Sequence, residues 1–578
     1  MRLVKIDLSI ILIFVLGFLL RVFYLHLFPV AISNDEHEYI MNSKSIFYTG
    51  RSLPNTSLGI FSSGNTSSDM KLAELPSFLF STLIGLTGSN QYLVRIPYAM
   101  VSSLSILLIY ILIQNLLHRR RLSLLSSFVM AINPWSIHFG RIGLEITLVT
   151  FFYLLGLILI LNKSKIRIIS ILFFILGFLS YHGAKLVFIP MIFYILIWKI
   201  IFHGKKYLYS SIIIASIAMF SVVVYFIFFV YQGTNTRTKE LVFFNTDRTT
   251  RQVDDDRRLS IQSPVQKLFS NKITYYLTNI ADNYINAFNT KLLFTNGGNN
   301  AVLSLLIHGM FYWIELPLLI LGIIGLYILN KKIWLLILGL IAIAPLSSSL
   351  STIGQSYVQR AGLMFPLLGT LIAIGIYTLS RKFRGQKILF TIFITVLYVF
   401  SLSNFLNIYF IRYPIFNSEG FSLSHKVLAK YLQLAIIKNP DIKIYVTAKD
   451  PLMLFLKFLY YNNIYNDFDN IKAINQNISE KKYYFGNSTF TYDCLDNTSD
   501  INTDIIWIEE NAKECPSPVI KTPRILTLTD SGSLFSIHND FVCEKYNLPQ
   551  YLKISNTSEL DISSMNEEEF CHNWIAYY

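Results

Sequence analysis

The chain has 578 residues, of which 53% are hydrophobic and 15% are charged, and its formal net charge is +14. Soluble domains carry about a quarter charged residues, so this composition excludes a soluble globular protein and indicates a membrane protein. The basic excess lies in residues 1–411, whereas residues 412–578 hold 15 basic and 21 acidic side chains, so no basic soluble domain supports nucleic-acid binding.

Apolar runs long enough to cross a bilayer, which takes about 20 helical residues, recur along the first 411 residues. They predict a mainly α fold, a polytopic helical membrane bundle of about eleven spans. The predicted spans are residues 7–27, 93–116, 122–138, 145–161, 167–181, 186–202, 207–231, 306–329, 333–350, 361–379 and 387–411.

Every second gap between consecutive predicted spans is short and basic. They read "HRRR", "NKSKIR", "HGKK", "NKK" and "SRKFRGQK". Under the positive-inside rule these gaps and the N-terminus face the cytoplasm. The alternate gaps and everything after the last span are then expected outside, in a multi-pass protein of the plasma (cytoplasmic) membrane.

Two of the outward gaps, residues 28–92 and 232–305, are long and contain amphipathic pieces. Loops of this length in a compact protein are usually functional or lack regular structure. We expect the amphipathic pieces to lie along the outer membrane surface and to roof a cavity above the bundle.

The first outward gap begins with "SNDEHEYIMNSKS", which places three carboxylates within four residues. Ser33 and Glu36 have the spacing of a capping box, so a structural role is available to Glu36. Asp35 would lie in the first helical turn, where the helix dipole keeps a carboxylate ionised, as a general base must be. Glu38 and Tyr39 share the helix face of Asp35. The alternative is that Asp35 is merely another capping residue.

Several ionisable residues lie at the predicted outer ends of spans, in "NPWSIHFGRIGLE", "SYHGAKLVFIP" and "GQSYVQRAG". They are His138, Arg141, Glu145, His182, Lys185 and Arg360. One explanation is interfacial anchoring, with Arg141 and Glu145 paired at i,i+4. The other is a binding site for a lipid phosphate, since the planar fork of arginine donates two hydrogen bonds to phosphate at once.

Residues 412–578 predict a small extracytoplasmic α/β domain. "SLSHKVLAKYLQLAIIKN" has helical apolar spacing, "DIKIYVTA" and "DIIWIEE" are typical of strands, and "RILTLTDSGSLFSIHND" is typical of a hairpin.

All four cysteines lie in this C-terminal part. An even number in an oxidising compartment favours two disulfides, of which the sequence-local pairs are Cys494–Cys515 and Cys543–Cys571. Four cysteines permit three pairings, and buried free thiols are the alternative.

Five segments, in chain order, carry a resemblance to the GT-C-fold membrane glycosyltransferases that use polyprenyl-phosphate sugars. The chain is most similar to the protein O-mannosyltransferases and the lipid A aminoarabinose transferases, over most of residues 1–411. The segments are the acidic pair "DE" of the first outer loop, "GSNQYLVRIP", "INPWSIHFGRIGLE", "LSYHGAKLVFIP" and "GQSYVQRAGLMFPLLGTLIAIGI". One departure is that relatives often carry an acidic residue and a His-Arg pair before the eighth span, where this chain reads "LFTNGGNNAVLSLLIHGMFYWIELP".

The resemblance implies that Asp35 matches the catalytic aspartate, with Glu36 beside it, and that Arg141, Lys185 and Arg360 line the donor pocket. The implied reaction moves a hexose or pentose from a polyprenyl phosphate to a hydroxyl on a protein, lipid or polysaccharide, with inversion. A carboxylate base suits it, because an oxocarbenium-like transition state lets deprotonation run late. Metal dependence stays open, since two adjacent carboxylates can bind a divalent cation but need not.

The alternative function is a transporter or flippase of a charged lipid or lipid-linked sugar, in which the same cations would line a path. Transporters usually carry ionisable groups at mid-bilayer depth, often with inverted repeats. Here the polar residues lie at the outer rim and the predicted span centres carry almost no charge, which favours the enzyme.

Overall fold

The structure, a computed structural model, describes residues 8–53, 72–162, 165–230, 246–261, 263–352, 358–494, 505–513, 515, 522–529 and 532–577. The α-helices in chain order are α1 (Leu8–Val22), α2 (Asn34–Thr49), α3 (Glu74–Gly85), α4 (Gln91–Leu117), α5 (Arg120–Ile132), α6 (Pro134–Arg141), α7 (Ile146–Ile160), α8 (Ser170–Ser180), α9 (His182–His203), α10 (Leu208–Tyr225), α11 (Thr246–Arg258), α12 (Pro264–Phe269), α13 (Lys272–Asn286), α14 (Glu315–Leu329), α15 (Lys331–Ile343), α16 (Leu346–Ser349), α17 (Met364–Lys382), α18 (Lys387–Asn407), α19 (Tyr413–Phe416), α20 (Leu423–Lys438), α21 (Pro451–Tyr461), α22 (Phe468–Ser479) and α23 (Glu567–Trp574). The strands are β1 (Lys443–Thr447), β2 (Tyr483–Phe485), β3 (Ser488–Thr491), β4 (Ile505–Glu510), β5 (Pro523–Leu526), β6 (Ser533–His538) and β7 (Ala576–Tyr577). The expectation of a mainly helical chain with a small sheet is confirmed.

Within the described residues, six helices are long and apolar enough to cross a membrane, or up to seven if the bent pair α6 and α7 forms one span. The six are Gln91–Leu117, His182–His203, Lys205–Phe228, Lys331–Ser349, Met364–Lys382 and Lys387–Phe416. The chain is therefore a multi-pass membrane protein. Shorter apolar helices, among them α1, α8 and α14, occupy other predicted spans, and the total of eleven stays a prediction.

The predicted span 122–138 is divided into α5 and α6 in the structure. Pro134 is the first residue of α6, where its missing N–H costs nothing, whereas inside a continuous helix it would remove a hydrogen bond and clash. Asn133 caps α6, since its Oδ1 accepts the Ser136 N–H at 3.0 Å. A second break separates α6 from α7, and the two helices are bent by 118°.

The chain forms two compact units, Met1–Phe23 with Tyr98–Asn407, and Tyr24–Pro97 with Ile408–Tyr578. In the first unit, α14 and α17 pack backbone to backbone through glycines. A Cβ on Gly322 would overlap the carbonyl of Leu371, and one on Gly375 would overlap that of Leu318. Small residues at a membrane-helix interface let the backbones approach in this way.

Arg21, near the end of α1, is fully buried in the first unit and ties the start of α6 to its neighbours. Its Nη2 donates to Ser136 Oγ at 2.6 Å, its Nε to Ser102 Oγ at 2.9 Å, and its Nη1 to the Ala131 carbonyl at 3.2 Å. These hydrogen bonds satisfy a buried cation and fix the helix that carries His138 and Arg141.

The second unit contains a seven-stranded sheet in the order β2-β3-β1-β4-β6-β5-β7. Strand β1 pairs in parallel with β3 and β4, and the remaining pairs are antiparallel, including the predicted β5–β6 hairpin. Disulfides join Cys494 to Cys515 and Cys543 to Cys571, the sequence-local pairing.

Helix α2 also belongs to the second unit and is buried from Glu36 to Ile46. Asn475 on α22 donates to Ser45 Oγ at 2.8 Å, and the Lys44 amine donates to Asn466. Tyr39 accepts the Ala73 N–H at 3.2 Å through its hydroxyl. The acidic helix is thus an internal element of this unit, exposed at its first two residues and partly exposed at its last three.

Candidate active site

The start of α2 presents the acidic stretch. Ser33 is the N-cap, with an extended backbone, and its Oγ accepts the Glu36 N–H at 3.4 Å. Asp35 occupies the first turn and is exposed, whereas Glu36 is fully buried and Glu38 is 6% exposed. Of these three carboxylate residues, Asp35 is the exposed one.

The carboxylate of Glu36 is held by Arg95. Arg95 Nε donates to Oε1 at 2.7 Å and Nη2 donates to Oε2 at 2.8 Å, and both side chains are fully buried. Such a bidentate ion pair is geometrically specific because two hydrogen bonds form in parallel, and it is strong because both partners are charged. The structure therefore shows an ion pair where the spacing predicted a capping box, of which only the Ser33 hydrogen bond is described.

Arg95 is a site residue that sequence reasoning missed, although it lies in the quoted segment "GSNQYLVRIP". A signal was available: an arginine at the start of an apolar span needs a partner, since an unpaired buried charge is costly. The sequence does not say that the partner is 59 residues away.

His37 and Tyr39 complete the first buried turn of α2. The His37 ring meets Tyr460 edge to face, with centroids 5.6 Å apart. Desolvation lowers the pKa of His37 well below its ordinary value, and the nearby Lys457 and His425 side chains lower it further. Tyr39 packs with Leu72 and Ala73 rather than pointing to solvent.

Three of the residues predicted to bind the donor phosphate gather at the break between α6 and α7. His138 Nε2 lies 2.7 Å from the Val302 carbonyl, and Arg141 Nη1 donates to the Leu20 carbonyl at 3.0 Å. Glu145 is the N-cap residue of α7. All three side chains are buried, at 7% exposure or less, in the first unit.

His182 and Lys185 lie in the first turn of α9, in the same unit. Lys185 Nζ donates to the Tyr225 hydroxyl at 2.7 Å and lies 3.2 Å from His182 Nδ1. Arg360 belongs to a short 3₁₀ turn, Val358–Ala361, and donates to Ser351 Oγ. The preceding residues of its segment, 353–357, lie outside the described residues.

The predicted residues therefore fall into two sets. Asp35 and Glu36 lie in the first turn of α2, in the second unit. The remaining six belong to the first unit, where the structure brings together His138, Arg141 and Glu145, and separately His182 and Lys185. In the part of the chain that the structure describes, no group of three or more His, Cys, Asp or Glu side chains is placed to hold a metal ion.

Comparison with known proteins points to one family. Residues 74–226 match the family described as "Dolichyl-phosphate-mannose-protein mannosyltransferase", so the chain resembles those transferases over that region. The match includes Arg95, Arg141 and Lys185. No curated protein matches the chain.

Solved structures also resemble it, among them two of one protein. One is ArnT from Cupriavidus metallidurans in the apo state, with a TM-score of 0.46 and 10% identity, covering 92% of this chain and 97% of that one. The other is the same protein bound to undecaprenyl phosphate, with a TM-score of 0.37 and 12% identity, covering 82% and 77%.

Proposed function

We propose that this membrane protein is a glycosyltransferase that transfers a sugar from a polyprenyl-phosphate donor to an acceptor hydroxyl on the outer face of the membrane. The family match over residues 74–226 supports the class of reaction. The sugar is a hexose or pentose, and the acceptor belongs to a protein, lipid or polysaccharide. The N-terminus lies in the cytoplasm and the C-terminal region lies outside, as the basic gaps predict.

The observation that carries the assignment is the contrast between two adjacent carboxylates. Glu36 is buried and held by Arg95, whereas Asp35 is exposed in the first turn of the same helix. A general base must reach the acceptor proton, so Asp35 takes that role and Glu36 fixes the helix. Free N–H groups at a helix start favour the ionised carboxylate that the role requires.

The reaction is a single displacement at the anomeric carbon. Asp35 accepts the proton of the acceptor hydroxyl, whose oxygen forms the new bond to the sugar. The bond from the anomeric carbon to the phosphate oxygen breaks, and polyprenyl phosphate leaves with the electron pair. One base acting opposite a leaving group gives inversion. Arg141, Lys185 and Arg360 supply positive charge for the leaving phosphate, and His138, His182 and Glu145 line the same pocket.

The test is sugar transfer by purified protein in lipid nanodiscs, with radiolabelled polyprenyl-phosphate sugars. Asp35→Asn should lower kcat by at least about 100-fold, the usual contribution of a general base, without changing thermal unfolding. The matched control is Asp469→Asn, because Asp469 is also an exposed second residue of its helix, α22. The control should retain full turnover.

Retained turnover in the Asp35→Asn protein would exclude Asp35 as the base. Loss of turnover in both variants would show a helix-start effect instead of chemistry. Mass spectrometry of envelope glycans and glycoproteins after deletion of the gene would identify the acceptor.

A lipid-linked sugar transporter is the second candidate, and the 118° break between α6 and α7 favours it, since broken helices line many transport sites. The two candidates differ in their products. A transporter moves unmodified lipid-linked sugar across a vesicle membrane and tolerates Asp35→Asn, whereas the enzyme releases polyprenyl phosphate and does not.

A further inference from the structure

Four consecutive backbone carbonyls lie directly before Ser33, and each accepts a hydrogen bond from an arginine or lysine. We call residues 29–32 the carbonyl run. Arg95 donates to Pro29 at 3.0 Å and to Ala31 at 2.7 Å. Lys426 donates to Val30 and Lys457 donates to Ile32, both at 3.2 Å. The segment that leads into Asp35 is therefore held at every residue.

The two lysines belong to the C-terminal region, residues 408–578 of the second unit. Lys426 lies on α20 and Lys457 on α21, and they are 5% and 0% exposed. Their carbonyl partners are 396 and 425 residues away in sequence. Through these lysines, α20 and α21 contact the segment that leads into the acidic helix.

A buried lysine that donates to a carbonyl carries a large free-energy penalty, because its ammonium group is desolvated. Burial lowers the pKa of Lys426 to about 8 and that of Lys457 to about 7. An amine keeps N–H groups to donate in either protonation state, so the hydrogen bonds persist across this range. A neutral donor would satisfy a carbonyl with a smaller desolvation penalty. The use of lysine at both positions therefore indicates that these two contacts have a role beyond satisfying the carbonyls.

Other contacts tie the residues on both sides of Asp35. The Tyr461 hydroxyl accepts the Ile32 N–H at 3.2 Å, and Ser422 Oγ, at the start of α20, donates to Asn34 Oδ1 at 3.1 Å. With Glu36 held by Arg95, Asp35 lies between two fixed neighbours. Its backbone position is determined largely by α4, α20 and α21.

We propose that Lys426 and Lys457 are positioning residues for Asp35, so that the C-terminal region forms part of the scaffold of the active site. This inference rests on the proposed function. Displacing a catalytic group by about 1 Å can lower the rate by about 100-fold, so loosening the carbonyl run should lower kcat. Donor binding should be unaffected, because the lysines hold the base and not the phosphate.

The variants that test this are Lys426→Met and Lys457→Met, singly and together, with Lys426→Arg and Lys457→Arg as conservative replacements. The matched control is Lys199→Met on α9. Lys199 is also buried, at 3% exposure, and its amine donates to the carbonyls of Ile160 and Asn162. It reports the stability loss from removing a buried lysine that holds carbonyls elsewhere in the chain.

Two measurements are made on each full-length variant in nanodiscs. Steady-state kinetics should show kcat reduced about 10- to 100-fold with donor KM within twofold of wild type, partly restored in the arginine variants. Hydrogen–deuterium exchange should show the amides of residues 30–38 exchanging at least tenfold faster in the methionine variants. Lys199→Met should change neither.

The outcomes separate this inference from the proposed function. Unchanged exchange at residues 30–38 in the double methionine variant overturns the positioning role whatever the enzyme does. Faster exchange with unchanged kcat also overturns it. Failure of the wild-type protein to transfer sugar in the same assay would contradict the proposed function, and with it the positioning of Asp35 for catalysis. The exchange result would then show only whether the two lysines stabilise the carbonyl run.

Discussion

Arg95 on α4 and Glu36 on α2 form a fully buried, bidentate ion pair, with N–O distances of 2.7 and 2.8 Å. Two further N–H groups of Arg95 donate to the carbonyls of Pro29 and Ala31. One side chain therefore fixes the acidic helix through its third residue and fixes the segment before it. Two adjacent carboxylates in the sequence have different environments for this reason.

Breaking this pair should be strongly destabilising. Glu36→Gln should lower the free energy of unfolding by about 3–5 kcal/mol, because it leaves a buried guanidinium without its counter-charge. Arg95→Met should be at least as harmful, since it also takes a donor from the Ala31 carbonyl, whereas the Pro29 carbonyl keeps Gln91 at 2.6 Å. The measurement is chemical or thermal unfolding of the protein in detergent, followed by circular dichroism.

The double variant Glu36→Gln/Arg95→Met should be destabilised by less than the sum of the two single effects, because the partners are in contact. The control is the exposed pair of Lys482 and Glu480, whose side chains are 60% and 43% exposed. Its removal should leave unfolding almost unchanged, as for most surface ion pairs. Additive single effects would contradict direct coupling of Glu36 and Arg95.

The predicted donor-pocket cations should affect binding more than turnover. Arg360→Ala and Lys185→Met should each weaken donor affinity about 10- to 100-fold, since a hydrogen bond to a charged phosphate contributes about 1.5–3 kcal/mol. The readout is donor Kd from isothermal titration with the polyprenyl-phosphate sugar in the absence of acceptor, alongside kcat at saturating donor.

Arg119→Ala provides the matched control for Arg360. Arg119 also donates from Nη1 to a hydroxyl, that of Tyr377, at 2.9 Å, but lies in a gap predicted to face the cytoplasm. Its replacement should leave donor affinity unchanged. Equal losses in the Arg119 and Arg360 variants would indicate a general effect of surface charge on lipid binding.

The disulfides should stabilise the C-terminal part of the second unit. Cys543 and Cys571 are fully buried and 28 residues apart, so replacing both with serine should lower the free energy of unfolding by about 2–5 kcal/mol. The Cys494–Cys515 pair, 21 residues apart, closes a loop of similar length and should contribute a similar amount. Non-reducing peptide mapping should recover both cross-links, and four free thiols would contradict them.

Local spacing predicts the parts of the site that are local. The spacing predicts the Ser33 cap because the contacts of a helix start involve residues three positions apart. Asn133 followed by Pro134 is a local signal of the same kind, but the predicted span 122–138 ran across it. The partners of Arg95, Lys426 and Lys457 are not readable, since their contacts join residues 59 to 425 positions apart. The spacing already ranks Asp35 above Glu36, but the ion pair that buries Glu36 depends on such a distant partner and is seen only in the structure.

The last prediction concerns pH and Lys457. Its pKa falls from an ordinary 10.5 to about 7, chiefly through burial, while the carboxylates of Glu419, Glu36 and Glu38 oppose the fall. Between these two values the unfolded chain binds more protons than the folded one, so stability should rise as pH rises from about 7 and should be lost as pH falls towards 7. Lys426, with a pKa of about 8, acts in the same direction.

Replacing Lys457 with methionine should therefore make unfolding less dependent on pH between 7 and 9.5, relative to wild type. The range stops there because burial raises the pKa of tyrosines such as Tyr460, which reverses the slope at higher pH. His37 and His425, which also face Lys457, have pKa values well below 6.5 and do not titrate in this range. Unfolding of both proteins is followed across buffers of constant ionic strength. Parallel pH profiles would show that Lys457 does not titrate within the folded protein as its burial requires.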